Sequence, residues 1–258
     1  MPNDKPEPAP ATRRLKLVVA YDGTGFSGWQ IQARADTIQE RIEAAFLQVV
    51  GEDIRVHGAG RTDAGVHALG QCAHVDLATK LTPTVLLAAL NASLLPAIRI
   101  MRCQFVARTF HARFDARGKI YRYAIATAPV FSPFEFNRAW HVSGALDHDL
   151  LRKCAEEFPG THDFAGFAAN RGQPVESTTR TIRKVRVQRA SKRTTIEFEG
   201  DGFLYKMVRL MAGAIVRCAL GKTTFDEVRT RLHDATPGPE RNRFVAPAEG
   251  LTLVRVLY

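Results

Sequence analysis

Apolar and polar residues alternate from Leu15 to Tyr21, which puts Leu15, Leu17, Val19 and Tyr21 on one side. Period two belongs to a half-buried strand, and Asp22-Gly23-Thr24-Gly25 breaks it. That glycine pair lacks the third glycine and the immediate helix of a dinucleotide-binding loop. The spacing then turns helical, with Ile38, Ile42, Ala45, Phe46 and Val49 on one stripe. Thr37-Ile38-Gln39-Glu40 reads as a capping box at its start and Gly51 as its end. Ile54 to His57 predicts a short strand. Gly70 to Leu77 predicts a longer one, with Ala73, Val75 and Leu77 on one face and Cys72, His74 and Asp76 on the other. Thr82-Pro83 opens a second helix with a cap residue followed by proline, and Ile98 to Phe105 is a further strand.

The order β-α-β-β-α-β is the ferredoxin-like arrangement. It returns further on. Lys119 to Thr127 predicts a strand, Asp147 caps a helix running to about Phe158, and Thr181 to Arg189 pairs with Thr194 to Glu199. Phe203 to Ala219 and Phe225 to His233 predict helices, and Leu251 to Leu257 a closing strand. One extra helix and a longer insertion apart, the pattern is the same, although no repeat is visible residue by residue. The expected class is α+β with two ferredoxin-like halves. Residues 1–12, rich in Pro and charge, read as a disordered tail; 13–107 form the first domain and 108–258 the second.

Charge adds a partner class. Lys and Arg number 36 against 26 Asp and Glu, a net +10, which suits a polyanion such as nucleic acid or an anionic membrane face. No run of about 18 apolar residues, as a membrane span needs, is present, and Met1-Pro2-Asn3-Asp4-Lys5-Pro6 lacks the apolar core of a secretory signal. Cys72, Cys103, Cys154 and Cys218 form no C-x-x-C pair and sit in apolar segments. They read as buried small hydrophobes in a reducing compartment, and the expected location is cytoplasmic.

Candidate chemistry concentrates in His57-Gly58-Ala59-Gly60-Arg61-Thr62-Asp63-Ala64-Gly65-Val66-His67-Ala68, between two predicted strands. Its glycines permit positive φ and close approach of another surface, and Arg61 favours an ionised Asp63. A tight turn in which Asp63 caps its own backbone is the plainer reading of this stretch alone. Arg108 to Arg122 interleaves Arg108, His111, Arg113, Arg117, Lys119 and Arg122 with Phe110, Phe114, Tyr121 and Tyr123, a mixture suited to RNA phosphates and splayed bases. Lys119, Tyr121 and Tyr123 share a strand face. On the long helix, Lys206, Arg209, Gly213 and Arg217 form a stripe beside a broad apolar face. On a largely buried helix of this kind Arg209 needs a partner, for which Asp63 is a candidate; plain exposure of Arg209 to solvent fits this segment equally well. His57, His67 and His74 lack the neighbouring ligands of a zinc site.

Taken together, the Gly-rich stretch, Lys119-Ile120-Tyr121-Arg122-Tyr123 and Met207-Val208-Arg209 resemble the tRNA pseudouridine synthase A family. So do Tyr21-Asp22-Gly23-Thr24 with Phe26, Gly28, Trp29 and Gln30, then Phe110-His111-Ala112-Arg113-Phe114, and Ala248-Glu249-Gly250-Leu251. The likeness runs from about Arg14 to Tyr258. Ala168, after Asp163-Phe164-Ala165-Gly166-Phe167, and the stretch Asn170 to Glu176 depart from the family pattern. The resemblance implies one continuous, mainly antiparallel sheet, a homodimer, and isomerisation of uridines 38, 39 and 40 in the tRNA anticodon arm. It implies Asp63 as nucleophile, Arg61 orienting it and displacing the base, Tyr121 stacking on the extruded uracil, and Arg209 pairing with Asp63. Tyr121, Arg61, His67, Arg113, Lys119 and Lys206 are the expected substrate contacts. The reaction is neither redox nor hydrolytic, so no cofactor, metal or membrane is implied. A synthase acting on another RNA, or an RNA-binding protein without activity, keeps the same fold. A carboxylate hydrolase lacks a second acid paired with Asp63.

Overall fold

The computed structural model describes residues 11–169, 176–234 and 245–258. Among these residues ten strands form one sheet. In chain order they are β1 (Arg13–Tyr21), β2 (His57–Gly58), β3 (His67–Leu77), β4 (Ile98–Val106), β5 (Gly118–Ala126), β6 (Trp140–His141), β7 (Gly160–Asp163), β8 (Thr179–Ala190), β9 (Arg193–Gly200) and β10 (Leu251–Leu257). Five α-helices intervene: α1 (Ile38–Val50), α2 (Pro83–Ser93), α3 (His148–Ala155), α4 (Met207–Ala219) and α5 (Phe225–His233).

The sheet runs β4-β1-β3-β10-β5-β9-β8-β7, with β2 beside β3 and β6 beside β5. Each ferredoxin-like half contributes its four strands in the order fourth, first, third, second: β4-β1-β3-β2 and β10-β5-β9-β8. The halves meet where β10 runs parallel to the start of β3, pairing Thr252 with His67 and Leu253 with Ala68. Pairing is otherwise antiparallel along the main path. The mainly antiparallel α+β sheet is therefore as expected. Among the described residues no helix is long and apolar enough to cross a membrane.

Local signals place most elements. Thr37, Thr82, Asp147 and Thr224 each accept a backbone N–H at the start of their helices, supplying a partner to otherwise orphaned donors. Gly51 ends α1 with φ 74°. α4 buries eleven of its 13 residues, all but Arg209 and Arg217, so it serves as the core's central rod.

Four expectations need correction. The strand placed at Ile54 to His57 is only His57–Gly58. Ile54 and Val56 are buried, but the Val56 backbone is satisfied by α1 side chains: its N–H donates to Glu43 Oε1 (2.9 Å) and its carbonyl accepts from Gln39 Nε2 (3.1 Å). The helix placed from Phe203 starts four residues later, because Lys206 takes a left-handed φ of 59° and Leu204 N–H turns to Met207 Sδ. α3 ends at Ala155 and not near Phe158, whose ring is fully buried against Phe167 instead. Cys103 is half-buried, while Cys72, Cys154 and Cys218 are buried and all four are free. Residues 1–10 of the expected tail and residues 170–175 of the divergent stretch lie outside the described residues.

Candidate active site

The connection from β2 to β3 is stitched in place from three sides. Ala59 N–H donates to Cys72 O (2.7 Å), Gln71 Nε2 to Gly60 O (2.8 Å), and the Thr62 and Tyr21 hydroxyls share a 2.8 Å bond. The loop after β1 presses on it as well: Trp29 N–H donates to Thr62 O at 3.1 Å. Gly28 makes this approach possible. Its φ is +92°, and a Cβ there would lie 2.5 Å from Thr62 O, far inside contact distance. Gly65, at φ +76°, completes the turn that returns Val66 N–H to Asp63 O (3.2 Å).

The turn expected as the plainer reading therefore exists in the backbone, but the Asp63 side chain has a longer reach. Arg209 Nη1 donates to Asp63 Oδ2 at 3.1 Å across 146 residues. Arg209 is aimed by its own backbone neighbourhood, with Nε donating to Ala246 O (2.8 Å) and Ala246 N–H donating to Arg209 O (3.1 Å). The two side chains are only 14% and 19% exposed, which strengthens the ion pair over a surface one. Asp63 thus sits on a loop of the first half and is held by a helix of the second.

A cleft of about 810 Å³ opens beside this pair. Of the residues expected at the site, it gathers Asp63, Arg61, Tyr121, Arg209, Arg113, Lys119 and Lys206. Arg61 is exposed along the wall and donates from Nε to Gln30 Oε1 (3.1 Å); the guanidinium set against Asp63 is that of Arg209. Tyr121 is buried, edge-on to Phe203 with ring centres 5.1 Å apart. Burial, with Tyr21 and the Asp63 charge nearby, raises its pKa, so the phenol keeps its proton at neutral pH. Lys119 reaches under the loop: a Cβ on Gly60 would lie 2.8 Å from its Nζ. Burial, then the charges of Arg113 and Arg180, lower the Lys119 pKa, a strain that an incoming anion would relieve.

His67 is a correction. It lies outside the cleft lining and is buried, its Nδ1 accepting from Gly23 N–H (3.0 Å) and its Nε2 beside Glu249 O (3.1 Å). Its ring ties the first loop to the approach to β10, which leaves no edge for substrate. Sequence reasoning also missed cleft residues. Phe203 and Leu204 have helical spacing, and Leu251 fits a plain strand, yet all three line the wall. The signal for the first two lies in Gly200, Asp201 and Gly202, which interrupt the apolar pattern just before them. Among the described residues no group of three His, Cys, Asp or Glu is placed to hold a metal ion.

A family model described as tRNA pseudouridine synthase matches residues 17–115 and 154–258. The chain belongs to that family. Relatives named tRNA pseudouridine synthase A cover nearly the same span. The protein of Akkermansia muciniphila is 44% identical over 252 residues, 95% of each chain. That of Methylacidiphilum infernorum is 42% identical over 83% of this chain and 84% of its own. That of Acetivibrio thermocellus is 40% identical over 95% of this chain and 100% of its own. Asp63 lies in the first matched segment and Arg209 in the second, so their ion pair joins the two family segments; Tyr121 comes from β5 between them.

Proposed function

We propose that this protein isomerises uridine to pseudouridine in tRNA, at positions 38, 39 and 40 of the anticodon arm. Asp63 is the nucleophile. The reaction breaks an N-glycosidic bond and makes a C-glycosidic one, which needs a group able to attack and then leave, and a carboxylate does both. The observation that carries this reading is the Asp63–Arg209 pair: a half-buried carboxylate, oriented by a distant helix, in a cleft lined by further cations.

Substrate handling follows from the same wall. A uridine inside a stem must leave its stack, at a cost of a few kcal/mol. Arg61, exposed opposite Gln30, occupies the vacated space. Tyr121 offers a ring face to the extruded uracil, and its phenol can relay away the proton that C5 gives up once the new C1′–C5 bond has formed, while N1, released from the ribose, takes a proton up. Arg113, Lys119 and Lys206 meet backbone phosphates. A homodimer working in the cytoplasm completes the reading, because a tRNA is larger than one chain of this size.

Tritium release from tRNA carrying C5-tritiated uridine tests it. Wild-type protein releases tritium, and Asp63→Asn releases none while binding tRNA as before. Equal release by both proteins removes Asp63 from the mechanism. Tight, salt-sensitive binding without release by wild type favours an RNA-binding protein without activity.

A further inference from the structure

Phe114 is a large apolar side chain 74% exposed to solvent. Exposed apolar residues are common, and Phe134 and Phe136 are others here, but neither of those lines the cleft, whereas Phe114 does. Its ring is also propped from behind. His111 stacks on it with ring centres 4.2 Å apart and planes at 30°. His111 meets His74 edge-on at 4.7 Å, and His74 stacks on His57 at 5.0 Å and 19°.

The turn that carries Phe114 is fixed at several atoms. His111 Nδ1 accepts from Arg113 N–H (3.2 Å) and Phe114 N–H (3.3 Å), and His74 Nδ1 accepts from Ala112 N–H (3.2 Å). Tyr258 Oη donates to Ala112 O at 2.6 Å, and Asp115 Oδ2 accepts from His111 N–H at 3.0 Å. An aromatic ring held this firmly, backed by His111 and still 74% exposed, is preorganised for another flat ring. The Arg113 guanidinium lies over the Phe114 ring, 5.7 Å from its centre, so a cation able to meet a phosphate accompanies the ring. Aromatic side chains interleaved with cations are how proteins hold unpaired RNA bases.

We propose that Phe114, backed by His111, is a stacking platform for one unpaired tRNA base other than the target uridine. The occupant is a nucleobase, because the exposed ring is flat and apolar while its surroundings, Arg113 and Lys119 among them, are cationic. The platform rests on the tRNA reading above and adds a second point of grip. It sets which unpaired neighbour accompanies the target into the cleft, so it acts on binding and not on bond making.

The test compares Phe114→Ala, Phe114→Leu and Phe114→Trp in the full chain. It measures tRNA Kd by filter binding and KM and kcat by tritium release. The Ala variant is expected to raise Kd and KM about tenfold or more, in line with the loss of one base–ring stack, with kcat within about twofold. Trp restores wild-type values and Leu does not. A tRNA with a single abasic site at the stacked position binds wild type and the Ala variant equally, which names the nucleotide. Unchanged Kd for the Ala variant overturns the platform, and so does rescue by Leu, which reduces the ring to apolar bulk. Because Kd is read without turnover, absence of tritium release by wild type strikes the synthase reading alone, and the platform still stands or falls on Kd.

Discussion

The two βαββαβ halves solve the same connection in opposite ways. In the second half β8 has 12 residues and passes to β9 through Ser191 and Lys192, with Ala190 paired to Arg193. Ser191 turns at φ 54°, and this is a tight hairpin that only closes a ladder. In the first half the matching strand is the two residues His57–Gly58, and the matching connection runs from residue 59 to 66. Shortening β2 leaves the start of β3 without a neighbour on that side, and β10 of the other half takes the place. One truncation thus frees a loop to carry Asp63 and creates the seam at which the cleft forms.

If that contrast is right, the largest effect belongs to Asp63. Asp63→Asn should lower tritium release by more than about 10³-fold, as loss of a nucleophile does, whereas Lys192→Ala at the hairpin should leave it within about twofold.

Next is the strut between halves. Arg209→Met leaves a half-buried carboxylate without this guanidinium and should cost about 2 kcal/mol in urea unfolding, below the cost at a fully buried pair. In an Asp63→Asn background the same change should cost clearly less; equal costs would mean that the pair is not coupled.

Glycines separate the two halves as well. Gly28→Ala combines φ +92° with a carbonyl oxygen 2.5 Å from the new Cβ, and should cost about 3 kcal/mol and displace the loop that carries Asp63. Gly221→Ala, at φ +66° with nothing within 4 Å, should cost about 1 kcal/mol and spare activity.

The last test is of pH. Burial holds the His74 pKa down at about 4, helped by the charges of Arg14, His111 and His57 and opposed by Asp76. Below pH of about 6.5 the unfolded chain takes up a proton that folded His74 refuses, so stability falls with pH down to about 4 and then levels. Urea midpoints measured from about pH 7 to about pH 4 should show this slope, and His74→Phe should flatten it.

How much of this was legible depends on range. Caps and periodicity placed α1, α2, the start of α3 and most strand centres, since Thr37, Thr82, Asp147 and Gly51 act on backbone within four residues of themselves. Errors came where distant groups replaced the local partner. Val56 looked like a strand residue, but Gln39 and Glu43 on α1 satisfy its backbone. Phe203 to Lys206 looked helical, but the left-handed Lys206 delays the helix. His67 looked like a substrate contact because it belongs to the Gly-rich stretch, but Gly23 and Glu249 claim both ring nitrogens.

By itself, then, the sequence determined the class of fold and the order of elements, and singled out Asp63 as the candidate carboxylate, because hydrophobic period and turn chemistry are local. Only the tertiary structure decided that Arg209 reaches Asp63, that Phe203 walls the cleft, and that His111 props Phe114. Those contacts join segments far apart along the chain or rings whose stacking no periodicity encodes. They exist only once β10 has docked on β3 and α4 has been buried, when unpaired charge and open ring faces must find partners or ligands.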